Sequence, residues 1–353
     1  MSTSKPIVLH IGDPIAWNHV QYETFSSKFT VIRPSTEERQ RPAFIQALRE
    51  KRWGEFSAIF RPFWNTGGEM GMWDEELIKE VPESCRVFAS AGAGFDWADV
   101  KILGERGIIY CNSAAASSES VADFAIFLIL ATFRNLQWCT TASLTPSTFT
   151  DCHTNAAILS HNPRGHTLGI IGLGNIGHLL AQKAFSAFGM TIHYHDIIRK
   201  PTLEGPLDAT YHADLNAMLA LSDCVVLATP ASPDGRQLID GERIKHFKIG
   251  SRFINIARGS LVSSTALADA LDAGILIGCG LDVHEHEPAI DPRLIGRRNV
   301  TLTAHNAGGT LDTHIGFESL SMKNITAVLT GQAPLTPVNL HFLPSALKEK
   351  ASL

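Results

Sequence analysis

One stretch decides the fold: Thr167-Leu-Gly-Ile-Ile-Gly-Leu-Gly-Asn-Ile-Gly177. Its apolar start predicts a buried strand, and Ile176–Phe188 carries apolar residues at helical spacing. The turn between them is G-x-G-x-x-G. Gly172 permits a tight turn, Gly174 lets the backbone approach a pyrophosphate, and Gly177 lets the helix pack close to the strand. The stretch therefore predicts a dinucleotide site, with the phosphates at the N–H groups of the helix N-terminus.

An acidic residue closes the next predicted strand, as such a site requires. Asp196 follows Thr191–His195, about 20 positions beyond the turn. A carboxylate there accepts hydrogen bonds from the adenosine ribose and repels a 2′-phosphate, which favours NAD over NADP. Arg199 and Lys200 leave NADP possible, because either side chain is placed to meet that phosphate. The alternative, a glycine turn that binds nothing, is disfavoured because strand, turn, helix and acid all agree.

Short apolar runs alternate with helical patterns in two successive series. This alternation predicts an α/β fold of two Rossmann-like or flavodoxin-like domains, each with a parallel sheet. The predicted strands are Ile7–Ile11, Phe29–Ile32, Ala58–Phe60, Val87–Ala89, Ile108–Tyr110, Thr167–Ile171, Thr191–His195, Cys224–Thr229, Phe253–Ile256, Ile277–Leu281 and Val300–Thr303. The predicted helices include Pro42–Arg52, Glu75–Glu80, Ile176–Phe188, Asp214–Leu221 and Ser264–Ala273.

Three segments stand outside the alternation. Glu119–Asn135 predicts a long apolar helix, and Thr140–Pro163 predicts a long polar loop. Thr310–Leu329 predicts a last helix that crosses back to the first domain.

Composition excludes several classes of protein. The 353 residues are 44% hydrophobic and 18% charged, which excludes a wholly disordered chain. The net charge of −5 without basic runs argues against nucleic acid as a partner. The apolar run near 124–131 predicts no membrane span, and residues 1–14 lack a secretory signal pattern. Six scattered cysteines without a C-x-x-C pair predict a reduced, cytoplasmic protein.

Three polar residues follow predicted strands of the second series, where open α/β sheets place ligands. Arg258, Glu287 and His305 together suit hydride transfer to a 2-oxo acid. The arginine binds a carboxylate through a planar fork, and the histidine protonates the forming alkoxide. The glutamate orients the histidine and favours its protonated form.

Each residue alone also has a simpler interpretation. Arg258 suits a surface loop, Glu287 a solvated charge, and His305 a hydrogen-bonded strand-end histidine. The pair His284 and His286 admits a metal site, but no third ligand is evident, so no metal is predicted.

Five motifs, in this order, resemble the D-isomer-specific 2-hydroxyacid dehydrogenases over almost the whole chain. They are Ser90–Asp96, Gly169–Gly177, Asn255–Ser260, Leu281–Pro288 and Thr303–Gly309. The resemblance implies catalytic roles for Arg258, Glu287 and His305, and it implies substrate carboxylate binding by the N–H groups of Ala93 and Gly94. It also implies a cofactor site made by Gly172, Gly174, Asn175, Ile176, Gly177, Asp196, Thr229, Pro230, Ala257 and Asp282.

The same resemblance implies how the domains are arranged. Residues 1–110 and 306–353 are expected to form a discontinuous substrate-binding domain, and residues 111–305 are expected to form an inserted NAD-binding domain. The two share a cleft, with Glu119–Asn135 and Thr310–Leu329 as the hinge. A homodimer is expected through Glu119–Asn135 and Thr140–Pro163, although a buried helix in a monomer fits the sequence equally.

Finer features are similar to the fungal D-mandelate dehydrogenase branch, namely Leu48–Phe56, Phe88–Trp97 and His161–His166. That branch implies aryl 2-hydroxy and 2-oxo acids as substrates. Trp64, in Phe60–Trp64, is then a candidate for an apolar wall of the substrate site, with core packing as the alternative.

One departure lies beside the histidine. Ala304 and Asn306 replace residues usual in the family, so the pocket wall there is expected to differ.

Two other functions stay open. A glyoxylate/hydroxypyruvate reductase would have a small polar pocket, and a non-enzymatic NAD-sensing corepressor would bind protein partners with little turnover. The C-terminal Ala351-Ser-Leu353 only loosely resembles a peroxisomal address, because its middle residue is not basic.

Overall fold

The computed structural model describes residues 5–231 and 235–351. The expectations that concern the first four residues and the last two therefore lie outside the described residues. The chain divides into two compact units, Met1–Ser117 with Gly309–Leu353, and Ser118–Gly308. The expected domain boundaries, after residues 110 and 305, lie close in sequence to the boundaries between the two units, after residues 117 and 308.

The first unit is built on a parallel five-stranded sheet in the order β2-β1-β3-β4-β5, which is a flavodoxin-like arrangement. Successive side chains alternate between two cores, so that Ile59 packs on one face of the sheet and Phe60 on the other. The strands are β1 Ile7–His10, β2 Thr30–Ile32, β3 Ala58–Arg61, β4 Val87–Ser90 and β5 Ile109–Cys111. The helices are α1 His19–Lys28, α2 Arg41–Arg49, α3 Glu75–Ile78, α4 Val100–Glu105, the start of α5 Ala114–Arg134, α12 Leu311–Leu329 and α13 Ser345–Ala351.

The second unit is built on a parallel sheet of seven strands in the order β12-β11-β10-β9-β6-β7-β8. The order reverses between β6 and β9, and ligands bind at such a switch point, outside the carboxyl ends of the strands. The strands are β6 Thr167–Ile171, β7 Thr191–His195, β8 Thr210–Tyr211, β9 Cys224–Leu227, β10 Ser251–Asn255, β11 Leu276–Leu281 and β12 Val300–Leu302. The helices are the rest of α5, α6 Leu136–Ala142, α7 Pro146–Leu159, α8 Asn175–Phe188, α9 Pro201–Glu204, α10 Leu215–Leu221 and α11 Ser264–Asp272. The predicted α/β fold with two parallel sheets is confirmed.

Helix α5 starts earlier than the predicted helix Glu119–Asn135, and its 21 residues are long and apolar enough to cross a membrane by length and composition. The 124–131 run is only part of this helix. Its Leu128, Ile129 and Phe133 pack in a core with Leu168 and Ile170 of β6. That packing is typical of the core helix of a folded domain.

The polar loop predicted over Thr140–Pro163 is wrong, because most of that segment is helical. Helices α6 and α7 bury Trp138, Ala142, Cys152 and Ala156 against each other. Pro146 begins α7, at a position where its missing N–H costs nothing. The many Ser, Thr and Asn residues gave the segment a loop-like composition.

Candidate active site

The glycine turn has the geometry that a dinucleotide requires. Gly172, directly after β6, has φ +96°, a conformation that L side chains rarely adopt. A Cβ on Gly177 would lie 2.1 Å from the Gly172 carbonyl oxygen, so only glycine lets α8 start so close. A Cβ on Gly174 would meet nothing within 4 Å. The backbone at Gly174 is therefore open to a phosphate, and the following Asn175 and Ile176 start the 14-residue helix α8.

Asp196 lies directly after β7 and beside this turn. Its carboxylate accepts a hydrogen bond from the Leu173 N–H at 3.0 Å and from the Ile198 N–H at 3.2 Å. These bonds fix the acidic group next to the second residue of the glycine turn, which fits a role in binding a ribose. The residues present therefore fit NAD.

Arg199, which left NADP open, is engaged inside the unit. Its guanidinium donates two hydrogen bonds to Glu204, at 2.9 and 2.8 Å. The hydrogen bonds from Arg199 and from the Tyr194 hydroxyl lower the pKa of Glu204 to about 2. Arg199 would have to leave this pair to meet a 2′-phosphate, which favours the unphosphorylated cofactor.

Two other expected cofactor residues follow β9 at the switch point. The Ala228 N–H donates to the Ile171 carbonyl at 2.9 Å, which joins the ends of β9 and β6. Thr229 is half-buried there, close behind Gly172, and Pro230 is exposed. Ala257 is buried on the segment that follows β10.

The structure brings His305 and Glu287 into direct contact. His305 Nδ1 and Glu287 Oε2 are 2.8 Å apart, and both side chains are partly exposed. The second carboxylate oxygen, Oε1, accepts the His284 N–H at 2.9 Å. Partial burial acts to raise the pKa of Glu287, but the bonds from His305 and His284 outweigh it, and the pKa lies below its ordinary value. Glu287 is therefore held as a carboxylate beside the imidazole.

Asp282 organises the loop that carries His305, a role that the sequence did not indicate. Its fully buried carboxylate accepts hydrogen bonds from the Thr303 hydroxyl at 2.7 Å and from the Asn306 and Ala307 N–H groups at 3.1 and 2.9 Å. Its carbonyl accepts the His305 N–H at 2.8 Å, and His305 has a left-handed φ of +51°. The nicotinamide contact expected of Asp282 stays a prediction.

Arg258 follows β10, the neighbour of β11 in the sheet. The Asn255 amide holds its segment by donating to the Arg258 carbonyl at 3.0 Å and accepting the Ala257 N–H at 3.0 Å. A Cβ on Gly259 would lie 1.9 Å from the His284 carbonyl oxygen. The segment carrying Arg258 thus packs directly against the one that leads to Glu287.

Two polar residues that precede Glu287, His284 and Glu285, make structural contacts. His284 Nε2 lies 2.8 Å from the Thr303 carbonyl oxygen. Glu285 accepts hydrogen bonds from the Gln237 amide at 2.6 Å and from the Ser264 N–H at 2.7 Å. Over residues 5–231 and 235–351, no three His, Cys, Asp or Glu side chains are grouped to hold a metal ion.

The first unit carries the other expected substrate residues. Ala93 and Gly94 are half-buried in the turn after β4, where the Asn112 amide donates to the Ala93 carbonyl at 3.0 Å. Trp64 follows β3, and its carbonyl accepts a hydrogen bond from Arg61 at 2.9 Å. Strands β3 and β4 are parallel neighbours, so both segments leave the same edge of the sheet.

Comparison with known proteins decides the family. Residues 126–307 match the family model described as D-isomer specific 2-hydroxyacid dehydrogenase, NAD binding domain. The chain belongs to this family. It is therefore an oxidoreductase that acts on the CH–OH group of 2-hydroxy acids, with a NAD-binding domain in its second unit.

Three relatives illustrate the range of the family. The structure is similar to the holo form of Rhodotorula graminis D-mandelate dehydrogenase, with a TM-score of 0.91, 39% identity, and coverage of 95% of this chain and 98% of that one. A 4-methyl-2-oxopentanoate reductase A of Aspergillus oryzae is 32% identical over 92% of this chain and 95% of its own length. An NADPH-dependent glyoxylate/hydroxypyruvate reductase of Sinorhizobium meliloti, solved with NADP and malonate, has a TM-score of 0.75 and 29% identity, covering 95% of this chain and 97% of that one.

Proposed function

We propose that this protein is a NAD-dependent reductase of 2-oxo acids that bear an aryl or otherwise bulky substituent, and the dehydrogenase of the matching D-2-hydroxy acids. Benzoylformate and D-mandelate are the reference pair. The chemistry rests on the 2.8 Å contact between His305 and Glu287. The preference for bulky substrates is supported by the aromatic side chains around Trp64 and by the likeness to a D-mandelate dehydrogenase.

Arg258 and the turn after β4 bind the substrate in this proposal. The guanidinium of Arg258 is planar and permanently charged, so it pairs with the carboxylate and polarises the 2-oxo group. On the first unit, the N–H groups of Ala93 and Gly94 are the proposed donors to the substrate carboxylate. Arg258 fixes C2 for the reaction, and NADH, when bound, supplies the hydride.

His305 moves the proton. Because Nδ1 is held by Glu287, the opposite ring nitrogen, Nε2, is the one that exchanges a proton with substrate. In reduction, the protonated imidazole donates from Nε2 to the forming alkoxide, and the Glu287 carboxylate stabilises its positive charge. Oxidation runs in reverse and needs an unprotonated Nε2, so alkaline pH favours oxidation and acidic pH favours reduction.

A glyoxylate/hydroxypyruvate reductase is the second candidate, favoured by the likeness to the Sinorhizobium meliloti enzyme. That function needs only a small substrate, so the aromatic residues would then serve packing alone. The NADPH dependence named for that relative also keeps NADP open, against the Arg199–Glu204 pair described above.

The two candidates are separated by the turnover of different 2-oxo acids. NADH oxidation is measured with benzoylformate, 4-methyl-2-oxopentanoate and glyoxylate, and each assay is repeated with NADPH. The proposal expects the highest kcat/KM with benzoylformate and NADH. A higher kcat/KM with glyoxylate would contradict it in favour of the second candidate.

We also propose a cytoplasmic homodimer. In the second unit, Leu144, Phe149, Ile158 and Leu159 are large apolar residues that are more than half exposed on or beside α7. Apolar residues grouped in this way suit a protein partner, and a second copy of the chain is the proposed one.

A further inference from the structure

Aromatic side chains from three parts of the sequence meet in the first unit. Trp17 lies between β1 and α1, Phe63 and Trp64 follow β3, and His314 and Phe317 lie on α12. The ring centroids of Trp17 and His314 are 5.4 Å apart, those of Trp17 and Phe63 are 6.1 Å apart, and those of Trp64 and His314 are 5.5 Å apart. We call these five residues the aromatic cluster.

The members of the aromatic cluster range from fully buried to solvent-exposed. Phe317 is fully buried and Phe63 is 8% exposed, whereas Trp17 is 40% exposed. Core packing accounts for the buried members, and Trp17 adds an indole face that solvent reaches. A half-exposed tryptophan backed by other rings is a ready surface for an apolar, flat ligand.

A buried carboxylate binds the backbone that carries this tryptophan. Glu318 of α12 is fully buried and accepts hydrogen bonds from the N–H groups of Ala16 at 2.7 Å, Trp17 at 3.2 Å and Asn18 at 2.8 Å. The Asn18 amide donates to the same carboxylate at 2.9 Å and to the Ile315 carbonyl at 2.8 Å. A carboxylate is costly to bury unless it is fully hydrogen-bonded, so this arrangement ties residues 16–18 to α12 in one position.

The topology places the aromatic cluster beside the turn proposed for the substrate carboxylate. Strand β3 lies between β1 and β4, and all three run parallel. The segments after β1 and β3 and the turn at Ala93 and Gly94 therefore leave the same edge of the sheet. Neighbouring strands lie about 5 Å apart. The end of β3 is therefore about one strand spacing from the end of β4, and the end of β1 is about two spacings from it. An aryl group on C2 of a bound 2-oxo acid extends over that range.

We propose that Trp17 determines the preference for aryl substrates, and that Glu318 is the positioning residue that holds Trp17 for this task. The inference rests on the proposed function, because it names the part of the chain that recognises the substituent. Glyoxylate carries no substituent on C2, so it makes no use of this surface and serves as the internal reference.

The test compares Trp17→Ala and Trp17→Phe with the wild type. The measured quantity is the ratio of kcat/KM for benzoylformate to kcat/KM for glyoxylate, with NADH. Losing the indole is expected to lower this ratio roughly tenfold or more, because lost apolar contacts in a specificity pocket have effects of that size. The change should come from a higher KM for benzoylformate. Trp17→Phe keeps a ring and should lose less. The matched control is Val20→Ala, a 79% exposed position three residues further on, which should leave the ratio unchanged.

An unchanged ratio in Trp17→Ala, with benzoylformate still the better substrate, would overturn the role of Trp17 and leave the proposed function standing. A wild-type protein that reduces glyoxylate but not benzoylformate would overturn both.

Glu318→Gln separates positioning from simple stability. The substituted amide has one accepting oxygen and two N–H donors, so it cannot satisfy the donors of residues 16–18. A positioning role predicts a higher KM for benzoylformate with kcat maintained, and a lower benzoylformate-to-glyoxylate ratio at a temperature well below the melting point. Equal losses with both substrates, in step with a lower Tm, would overturn the positioning role of Glu318.

Discussion

Among single residues, His305 matters most to the proposed mechanism, because it exchanges a proton with the substrate. His305→Ala removes the group that protonates the alkoxide, and general acid–base catalysis contributes about 10²- to 10⁴-fold to rate. We expect kcat to fall by that order while the far-ultraviolet circular dichroism and Tm stay close to wild type. His286→Ala is the control, because that side chain is 81% exposed on the segment that carries Glu287. Near-wild-type turnover in His305→Ala would remove His305 from the mechanism.

The Glu287 carboxylate gives a prediction for pH. The pKa of this group is lowered, so its charge is present at neutral pH and is lost only as pH falls through the folded-state pKa. Glu287→Gln removes the charge that favours the protonated imidazole. Glu287→Gln should therefore lower kcat/KM for reduction at neutral pH, and the loss of activity that wild type shows as pH falls through the folded-state pKa of Glu287 should be absent from the variant. A variant that matches wild type at neutral pH and keeps the same acid limb would show that the Glu287 charge does not act on His305.

At the level of secondary-structure elements, alanine substitutions at two glycines of one turn should affect stability differently. Gly177→Ala puts a Cβ 2.1 Å from a carbonyl oxygen, so α8 must shift, and we expect a clear drop in Tm. Gly174→Ala meets nothing within 4 Å, so the fold should keep its Tm while NAD binding weakens. Differential scanning calorimetry and isothermal titration with NAD measure the two effects. Equal NAD affinity in Gly174→Ala and wild type would argue that phosphate does not approach this backbone.

Sequence reasoning found the elements whose patterns are strong. The strand Thr191–His195 has the predicted bounds, and the glycine turn joins β6 to α8 as expected. It did not find α1, because Phe25 is the only residue that this helix buries, so no apolar stripe marks it. The segment that forms α7 was predicted to be a loop because Ser, Thr and Asn favour turns when considered alone.

The contacts that position the site were harder to find in the sequence. Arg258, Glu287 and His305 were identified through motifs, since each follows a strand at a recognisable place. Asp282 was expected to contact the cofactor, which stays a prediction, and the structure adds that its carboxylate binds the His305 loop. The contact of Glu318 with Trp17 joins positions about 300 residues apart, and no local pattern reports such a pairing.

At the scale of the whole molecule, the proposed homodimer predicts a surface that charge should disrupt. Leu144→Glu with Ile158→Glu places one carboxylate just before α7 and one near its end, at positions where the wild-type side chains are 79% and 78% exposed. We expect the mass from size-exclusion chromatography with light scattering to fall from two chains to one. Ile249→Glu, at an 81% exposed position, is the control and should remain dimeric. A wild-type protein with the mass of one chain would contradict the proposal directly.

In the proposed reaction this chain reduces an aryl 2-oxo acid with NADH and yields the D-hydroxy acid. The most direct test is chiral chromatography of the product formed from benzoylformate and NADH, with NADH consumption followed in the same reaction. D-mandelate should be essentially the sole product, with one molecule formed for each NADH oxidised. Formation of L-mandelate, or no mandelate at all, would contradict it.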